Sequence, residues 1–115
     1  VGIQKPRGER GDLQGSLALS GKALVTSGDY ERFRIVDGVR YHHIIDPRTG
    51  WPANASQSVT VLTDSAEAGV VLAKGIFILG PAKGLALARD WKAEALIVDA
   101  QGVQHRTPSF PKLDP

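Results

Sequence analysis

The stretch that decides the fold is residues 58–99, SVTVLTDSAEAGVVLAKGIFILGPAKGLALARDWKAEALIVD. Its first six residues, 58–63, are rich in β-branched side chains and predict a strand. A long run of apolar and small residues follows over Ala66–Leu79 and predicts a helix, which Asp64 or Ser65 can cap.

The same stretch predicts where this helix ends and what comes next. Gly80 can close the helix in a left-handed conformation, and Pro81 can begin a second helix that runs to about Trp91. A short buried strand is then predicted over 95–99, because ALIVD is apolar up to its last residue.

The flanking segments are predicted from turn residues and apolar runs. The Asp37-Gly38 pair is a strong hairpin signal and joins strands over 30–36 and 39–45. The remaining predictions are the end of a strand at 1–3, a loop over 4–15, two short strands or one bulged strand over 16–26, a turn at 27–29, a loop at 46–50, a turn at 100–102, a strand over 103–106 and an irregular strap over 107–115.

Strands first, then two helices, then strands predict an α+β fold, with both helices packed on one side of a largely antiparallel sheet. A length of 115 residues fits a single domain over 1–115. The chain opens on Val1 rather than methionine, in what reads as the end of a strand. We therefore expect it to be the C-terminal part of a longer protein.

Composition excludes several classes of function. The 14 Lys and Arg residues nearly balance the 12 Asp and Glu residues, and no block of like charges occurs, so we expect no nucleic acid partner. The chain has no cysteine, which excludes a disulfide framework, a thiolate nucleophile and a cysteine-based metal site. No apolar run reaches the ~18 residues of a membrane span.

The segment Tyr41-His42-His43-Ile44-Ile45-Asp46 carries the first candidate catalytic group. In a strand, Tyr41, His43 and Ile45 would share one face, and the other three residues the opposite face. A histidine that ends a strand before a loop is well placed for proton transfer, since free imidazole titrates near pH ~6.5. A structural histidine is the competing interpretation and, for an isolated histidine, the more common one.

Two short polar turns supply the other candidates. Asp46-Pro47-Arg48-Thr49-Gly50 brings a carboxylate, a guanidinium and a hydroxyl onto one loop. Asp46 can simply stabilise the turn by accepting backbone N–H bonds, or Arg48 and Thr49 can meet a phosphate or a flavin edge. In the turn at 27–29, Ser27 or Asp29 can cap the chain, and Tyr30 can enter the core or stack on a ring.

The order and spacing of these pieces resemble a known family. A Thr-Ser-Gly-Asp-Tyr strand start at 26–30 precedes an Asp-Gly hairpin, then His-Ile-Ile-Asp-Pro-Arg-Thr-Gly at 43–50, then a strand and a small-residue helix that ends in Phe-Ile-Leu-Gly-Pro at 77–81. This series resembles the C-terminal half of the FAD:protein FMN transferases, the ApbE-like family. The resemblance covers essentially the whole chain, and the pattern at 43–50 is its most specific part.

The resemblance implies a reaction, a fold and a set of site residues. It implies the C-terminal part of the family's T-fold-related fold, with FAD as donor and a threonine or serine of a target flavoprotein as FMN acceptor. His43 would take the proton of the acceptor hydroxyl, and the missing N-terminal half would supply much of the FAD pocket. The expected cofactor-binding residues are Ser27, Gly28, Asp29, Asp46, Arg48, Thr49 and Gly50. The resemblance also implies a periplasmic, lipid-anchored parent protein.

One helix departs from the family pattern. Members of the family usually bind Mg²⁺ through an aspartate and, one turn later, a threonine of this helix. In this chain those two positions hold Val70 and Lys74. Valine does not ligate a hard cation and an ammonium repels one, so we expect no metal ligands there. The Lys74 ammonium can replace the metal beside the pyrophosphate, or its side chain can simply extend to solvent.

Three functions remain open from sequence. The first is a domain of an FMN transferase, which the intact segment 43–50 favours. The second is a degenerate flavin-binding or maturation-accessory protein without transfer activity, which Val70 and Lys74 favour. The third is a structural half-domain whose histidines are packed rather than used.

Overall fold

A computed structural model describes residues 2–8, 13–16, 21–30 and 33–113. Within these residues the chain forms short strands around one larger sheet and two consecutive helices. The elements are β1 (Gly2–Gln4), β2 (Leu13–Ser16), β3 (Ala23–Gly28), β4 (Phe33–Val36), β5 (Val39–His42), β6 (Ile45–Asp46), β7 (Trp51–Pro52), β8 (Ser56–Thr63), α1 (Ala66–Leu79), α2 (Pro81–Asp90), β9 (Glu94–Asp99) and β10 (Gln104–Arg106).

The main sheet has the strand order β10-β9-β8-β3, and all of its pairings are antiparallel. Central β8 pairs with β3 from Thr63 opposite Ala23 to Ser58 opposite Gly28. Both helices pack on one face of this sheet, where Val59 and Val61 are fully buried. The predicted α+β fold with a largely antiparallel sheet is therefore confirmed.

The two faces of the sheet carry separate apolar cores. On the helix face, Leu72, Ile76 and Phe77 of α1 close over β8. Burying a side chain of this size is worth about 1.5–3 kcal/mol each. On the opposite face, Ile3 and Phe110 enclose Leu96, so β1 and the C-terminal strap cover the second side.

Helix α1 begins and ends where the sequence predicts. Ser65 is its N-cap and accepts a hydrogen bond from the Ala68 N–H at 3.3 Å. Gly80 closes it with φ of 87° but ψ of −179°, outside the left-handed helical region that was predicted for this residue. Pro81 then starts α2 without a connecting loop. Neither helix in the described part of the chain is long and apolar enough to cross a membrane.

The predicted hairpin is confirmed, with shorter strands. Asp37 and Gly38 both have positive φ, 52° and 77°, as a two-residue type I′ turn requires. Strands β4 and β5 pair from Val36 opposite Val39 to Phe33 opposite His42. After His42 the chain bends, and the two-residue strand β6 replaces the rest of the predicted return strand.

Two sequence predictions near the N-terminus are wrong. The predicted loop over 4–15 contains the end of β1 and most of β2, which pair with Ile3 opposite Gly15. Ser27 and Gly28 do not turn the chain but end β3, because they pair with Val59 and Ser58 of β8. In both cases long-range strand pairing outweighs a polar, glycine-rich local sequence. Residues 17–20 of the segment predicted over 16–26 lie outside the described residues.

The contact between the two helices depends on Gly84, and a substitution there should destabilise the fold. A Cβ atom at this position would lie 2.7 Å from Ile76 Cγ2 and 3.3 Å from the Ile76 carbonyl oxygen. We expect Gly84→Ala to lower the free energy of unfolding by about 1–3 kcal/mol, as overpacking does. Urea denaturation measures this change.

Gly75 supplies the matched control, since a Cβ there would meet Leu87 Cδ2 at an ordinary 3.4 Å. Gly75→Ala should leave the stability unchanged or raise it by up to about 1 kcal/mol, because alanine is the better helix former. Equal stability of Gly84→Ala and the natural protein would contradict the packing argument.

Candidate functional site

The loop after β6 is a closed turn built around Asp46. The backbone N–H groups of Thr49 and Gly50 both donate to the Asp46 carbonyl oxygen, at 3.2 and 2.8 Å. The Asp46 carboxylate accepts the Arg48 N–H at 2.9 Å and also binds the Arg48 guanidinium through Nε and Nη2. Asp46 therefore stabilises the turn, as the simpler of its two interpretations predicted. Its predicted role in a cofactor pocket stays a prediction.

Arg48 connects this turn to helix α1 through a hydrogen bond. Its Nη2 donates to the Ile78 carbonyl oxygen at 3.3 Å, in the last turn of the helix, where a positive charge is favourable. The hydrogen bonds from the Arg48 side chain, and then from its backbone N–H, hold the pKa of Asp46 below its ordinary value. The same side-chain hydrogen bond raises the pKa of Arg48.

The pKa of Asp46 should therefore depend on Arg48. In the natural protein we expect it below the ~3.9 of a free aspartate, so the carboxylate stabilises the turn above that pH and loses this effect as the pH falls through the lowered value. We expect Arg48→Gln to raise the pKa of Asp46 toward its ordinary value. A ¹³C NMR titration of the carboxyl group measures both values, and identical titrations would contradict the assignment.

Thr49 and Gly50 complete the turn. The Thr49 hydroxyl donates to the Asp46 carbonyl oxygen at 3.4 Å and accepts the Trp51 N–H at 3.1 Å. Gly50 is exposed and has φ of 74°. The Thr49 hydroxyl therefore helps to shape the loop, and the predicted contacts of both residues with a cofactor stay predictions.

The two adjacent histidines face opposite ways, as the predicted alternation requires. His42, Ile44 and Asp46 are buried, whereas His43 and Ile45 are exposed. His43 is therefore exposed to solvent, three residues before the closed turn begins at Asp46. This position suits the predicted proton transfer with an incoming hydroxyl group.

His42, in contrast, is a structural residue. Its Nε2 donates to the Ala53 carbonyl oxygen at 2.6 Å, and its Nδ1 accepts the Ile44 N–H at 3.2 Å. Because a carbonyl can only accept and an N–H can only donate, these partners fix the tautomer with its proton on Nε2. The ring also meets Phe77 edge-on, with ring centroids 5.5 Å apart. The imidazole therefore holds in place the segment that joins β5 to the Asp46–Gly50 turn.

The predicted residues at 27–29 lie at the end of the main sheet where β8 begins, since Ser27 and Gly28 pair with Val59 and Ser58. Ser27 is half-buried on β3, and the Tyr30 ring leaves no room for a side chain at Gly28, where a Cβ would lie 2.3 Å from it. Asp29 is buried and forms a bidentate ion pair with Arg7, both distances being 2.6 Å. Their predicted cofactor contacts stay predictions.

Sequence reasoning missed two residues that organise this end of the sheet. Arg7 lies 22 positions from Asp29, and its pKa is raised chiefly by the side-chain hydrogen bond to that carboxylate. Arg40 donates to the Asp29 carbonyl oxygen at 3.3 Å and so links the hairpin to this turn. Each is one arginine among several in the sequence, so only the folded chain identifies its partner.

Val70 and Lys74, the two positions where the family resemblance implied metal ligands, lie one turn apart on α1 and are both exposed. An isopropyl group and an ammonium offer no oxygen donor to a hard cation. Among the described residues no group of three or more His, Asp or Glu side chains forms another candidate metal centre. The residues present do not fit a magnesium ion.

Comparison with known proteins shows where this architecture recurs. The chain is 43% identical over 91 residues to an FAD:protein FMN transferase of Klebsiella pneumoniae, covering 78% of this chain and 29% of that protein. The crystal structure of the ApbE protein of Thermotoga maritima superposes with a TM-score of 0.87 at 39% identity, covering 96% of this chain and 36% of that one. The apo flavinyl transferase ApbE of Pseudomonas stutzeri gives a TM-score of 0.73 at 35% identity, covering 98% and 36%.

The chain thus spans about a third of the length of the relatives it matches. The sequence model of the ApbE family matches residues 1–97, well over half of the chain. This chain belongs to the ApbE family.

Proposed function

We infer that this chain is the C-terminal part of an FAD:protein FMN transferase, which moves the FMN half of FAD onto a threonine or serine of a target flavoprotein. The observation that carries this proposal is that His43 is exposed, three residues before the closed Asp46–Gly50 turn. Two of the relatives described above bear a transferase name. These names favour transfer activity over a degenerate accessory protein.

The reaction needs a base and an ordered donor. The acceptor hydroxyl oxygen attacks the phosphorus of the FMN half, the bond from that phosphorus to the bridging oxygen breaks, and AMP leaves with the electron pair. The attacking hydroxyl loses its proton in this step, and His43 is the residue that takes it. A hydroxyl is a poor nucleophile until a neighbouring base accepts that proton.

The remaining predicted residues form the wall on which FAD lies. Arg48 is exposed, so its guanidinium can also meet a phosphate oxygen while its ion pair with Asp46 holds it in place. Thr49 and Gly50 keep the loop in its closed shape. Ser27, Gly28 and Asp29 form the second edge, which the Arg7 ion pair makes rigid.

Val70 and Lys74 lead to a specific prediction about metal dependence. Binding of FAD by the natural parent protein should not respond to Mg²⁺, since neither side chain is a metal ligand. We expect the double substitution Val70→Asp with Lys74→Thr to create FAD binding that strengthens when Mg²⁺ is added. Flavin fluorescence titrations with and without the metal measure the affinity independently of turnover.

The single substitution Lys74→Thr separates the two interpretations of this lysine. If the ammonium neutralises pyrophosphate charge, this variant binds FAD more weakly than the natural protein. If the side chain only extends to solvent, the affinity is unchanged. Lys83, exposed on α2, supplies the control substitution Lys83→Thr, which should have no effect.

The test of the function itself is mass spectrometry of a candidate acceptor flavoprotein incubated with the parent protein and FAD. A mass increase equal to one FMN on a single threonine or serine, with release of AMP, supports the proposal. Failure to modify any acceptor, under conditions in which a related transferase succeeds, would favour the accessory-protein alternative.

The proposed location follows the family resemblance. The parent protein would be exported to the periplasm and held at the membrane by a lipid anchor. Fractionation of cells that express the parent with its own N-terminus tests this location: recovery in the cytoplasm would contradict it.

A further inference from the structure

A cavity of about 250 Å³ opens at the end of the main sheet, on the His42 side of the β5 strand and so on the face away from His43. We call it the arginine pocket, and its polar lining includes Arg7, Asp29, Arg40, Asn54 and Ser56. His42 also lines it, but both of its ring nitrogens are already hydrogen-bonded to the backbone. The pocket therefore opens on the face away from His43, and it shares Asp29 with the second edge of the proposed FAD wall.

Ser56 is the feature that indicates a ligand. Its side chain is almost fully buried, at 2% exposure, and its hydroxyl has no hydrogen-bond partner among the described residues. Buried polar groups in folded proteins nearly always have a partner, because an unpaired group loses its hydration without compensation. A bound molecule in the arginine pocket would supply the partner that this hydroxyl lacks.

The charges of the pocket indicate the class of molecule. Arg7 and Asp29 neutralise each other through their bidentate ion pair. Arg40 donates to the Asp29 carbonyl oxygen at 3.3 Å and lies 3.9 Å over the Phe33 ring, but it pairs with no carboxylate among the described residues. The lining thus carries one positive charge that no carboxylate in the described part of the chain balances, and it also includes a hydroxyl that can donate.

We propose that the arginine pocket binds a small oxyanion of the phosphate or carboxylate class, held between the Arg40 guanidinium and the Ser56 hydroxyl. A guanidinium has five N–H donors in one plane, and within the described ranges Arg40 uses them for a single hydrogen bond, to the Asp29 carbonyl oxygen. The anion accepts from both groups and balances the charge of Arg40. The proposal does not require the transfer reaction, although the site shares Asp29 with the proposed FAD wall.

The test is a ¹H,¹⁵N NMR titration of this protein with inorganic phosphate and, separately, with acetate. We expect saturable shifts at the Arg40 Nε–H and at the Ser56 and Asn54 amides, and the tighter of the two probes identifies the class. Ser56→Ala and Arg40→Gln should each weaken binding by about tenfold or more, the effect of losing one charge-assisted hydrogen bond. Arg34→Gln, on the exposed strand β4, is the matched control and should leave the affinity unchanged.

Thermal unfolding gives the second readout. If the pocket binds an anion, phosphate or acetate raises the melting temperature of the natural protein but not that of Ser56→Ala. If instead Ser56→Ala melts higher than the natural protein and neither anion shifts either one, the hydroxyl is merely unsatisfied and the proposal is overturned. The absence of saturable NMR shifts with both probes would overturn it as well.

Discussion

Replacing His43 with alanine is expected to slow FMN transfer by the parent protein about 10²–10⁴-fold, the usual contribution of a positioned general base. The imidazole is exposed and lies outside both apolar cores, so the substitution should leave folding unchanged. FAD binding should also persist, because the proposed wall residues remain. The rate of adduct formation on the acceptor, followed by mass spectrometry, measures the effect.

A chemical rescue distinguishes catalysis from a structural role. Imidazole added to the His43→Ala variant should restore part of the rate, since a free base can enter the space that the side chain leaves. His105→Ala is the matched control, as this third histidine lies on β10 and is hydrogen-bonded to the Asp99 carboxylate. An unchanged transfer rate in His43→Ala, or an equal loss of rate in His105→Ala, would contradict the assignment of His43 as the base.

The neighbouring histidine should have the opposite phenotype. We expect His42→Ala to lower the free energy of unfolding by about 2–4 kcal/mol, through a cavity beside Phe77 and the loss of two buried hydrogen bonds. The Ala53 carbonyl and the Ile44 N–H would both lose their imidazole partner. Urea denaturation of the purified protein measures this change.

His105→Ala again provides the comparison, because its imidazole is about a third exposed and pairs with a single carboxylate. Pairs of this kind contribute about 0–1 kcal/mol. If His42→Ala were no more destabilising than His105→Ala, the structural role of His42 would be wrong. A chain that keeps its stability but loses transfer on mutation of His42 would reverse the two assignments.

Much of the fold could be predicted because local signals agree with the final packing. The Ser65 cap, the run over Ala66–Leu79 and Pro81 gave the bounds of α1 and the start of α2 as the structure has them. The Asp37-Gly38 turn gave the hairpin register, since few other pairs accept two positive φ angles. Strand β2 could not be predicted, because its pairing with β1 depends on a partner outside its own polar sequence.

The candidate site, too, could be predicted from the sequence only in part. Alternation along a strand predicted that His42 and Asp46 share one face and His43 lies on the other, and the structure confirms this and shows that the His42 face is the buried one. Alternation could not show that the Arg48 guanidinium reaches the Ile78 carbonyl or that Arg7 holds Asp29. These contacts join residues 30 and 22 positions apart, and only the tertiary fold brings them together.

The β4–β5 hairpin is expected to open locally more often than the main sheet. Phe33, Ile35, Val36 and Val39 are all exposed, so little apolar burial opposes a local opening of this hairpin. Its amide hydrogens should therefore exchange faster than those of β8, while the hydrogen-bonded ring of His42 stops the opening one residue before His43. The exposed imidazole of His43 would then keep its position while the hairpin opens and closes. An acceptor chain could approach from the hairpin side without displacing that imidazole.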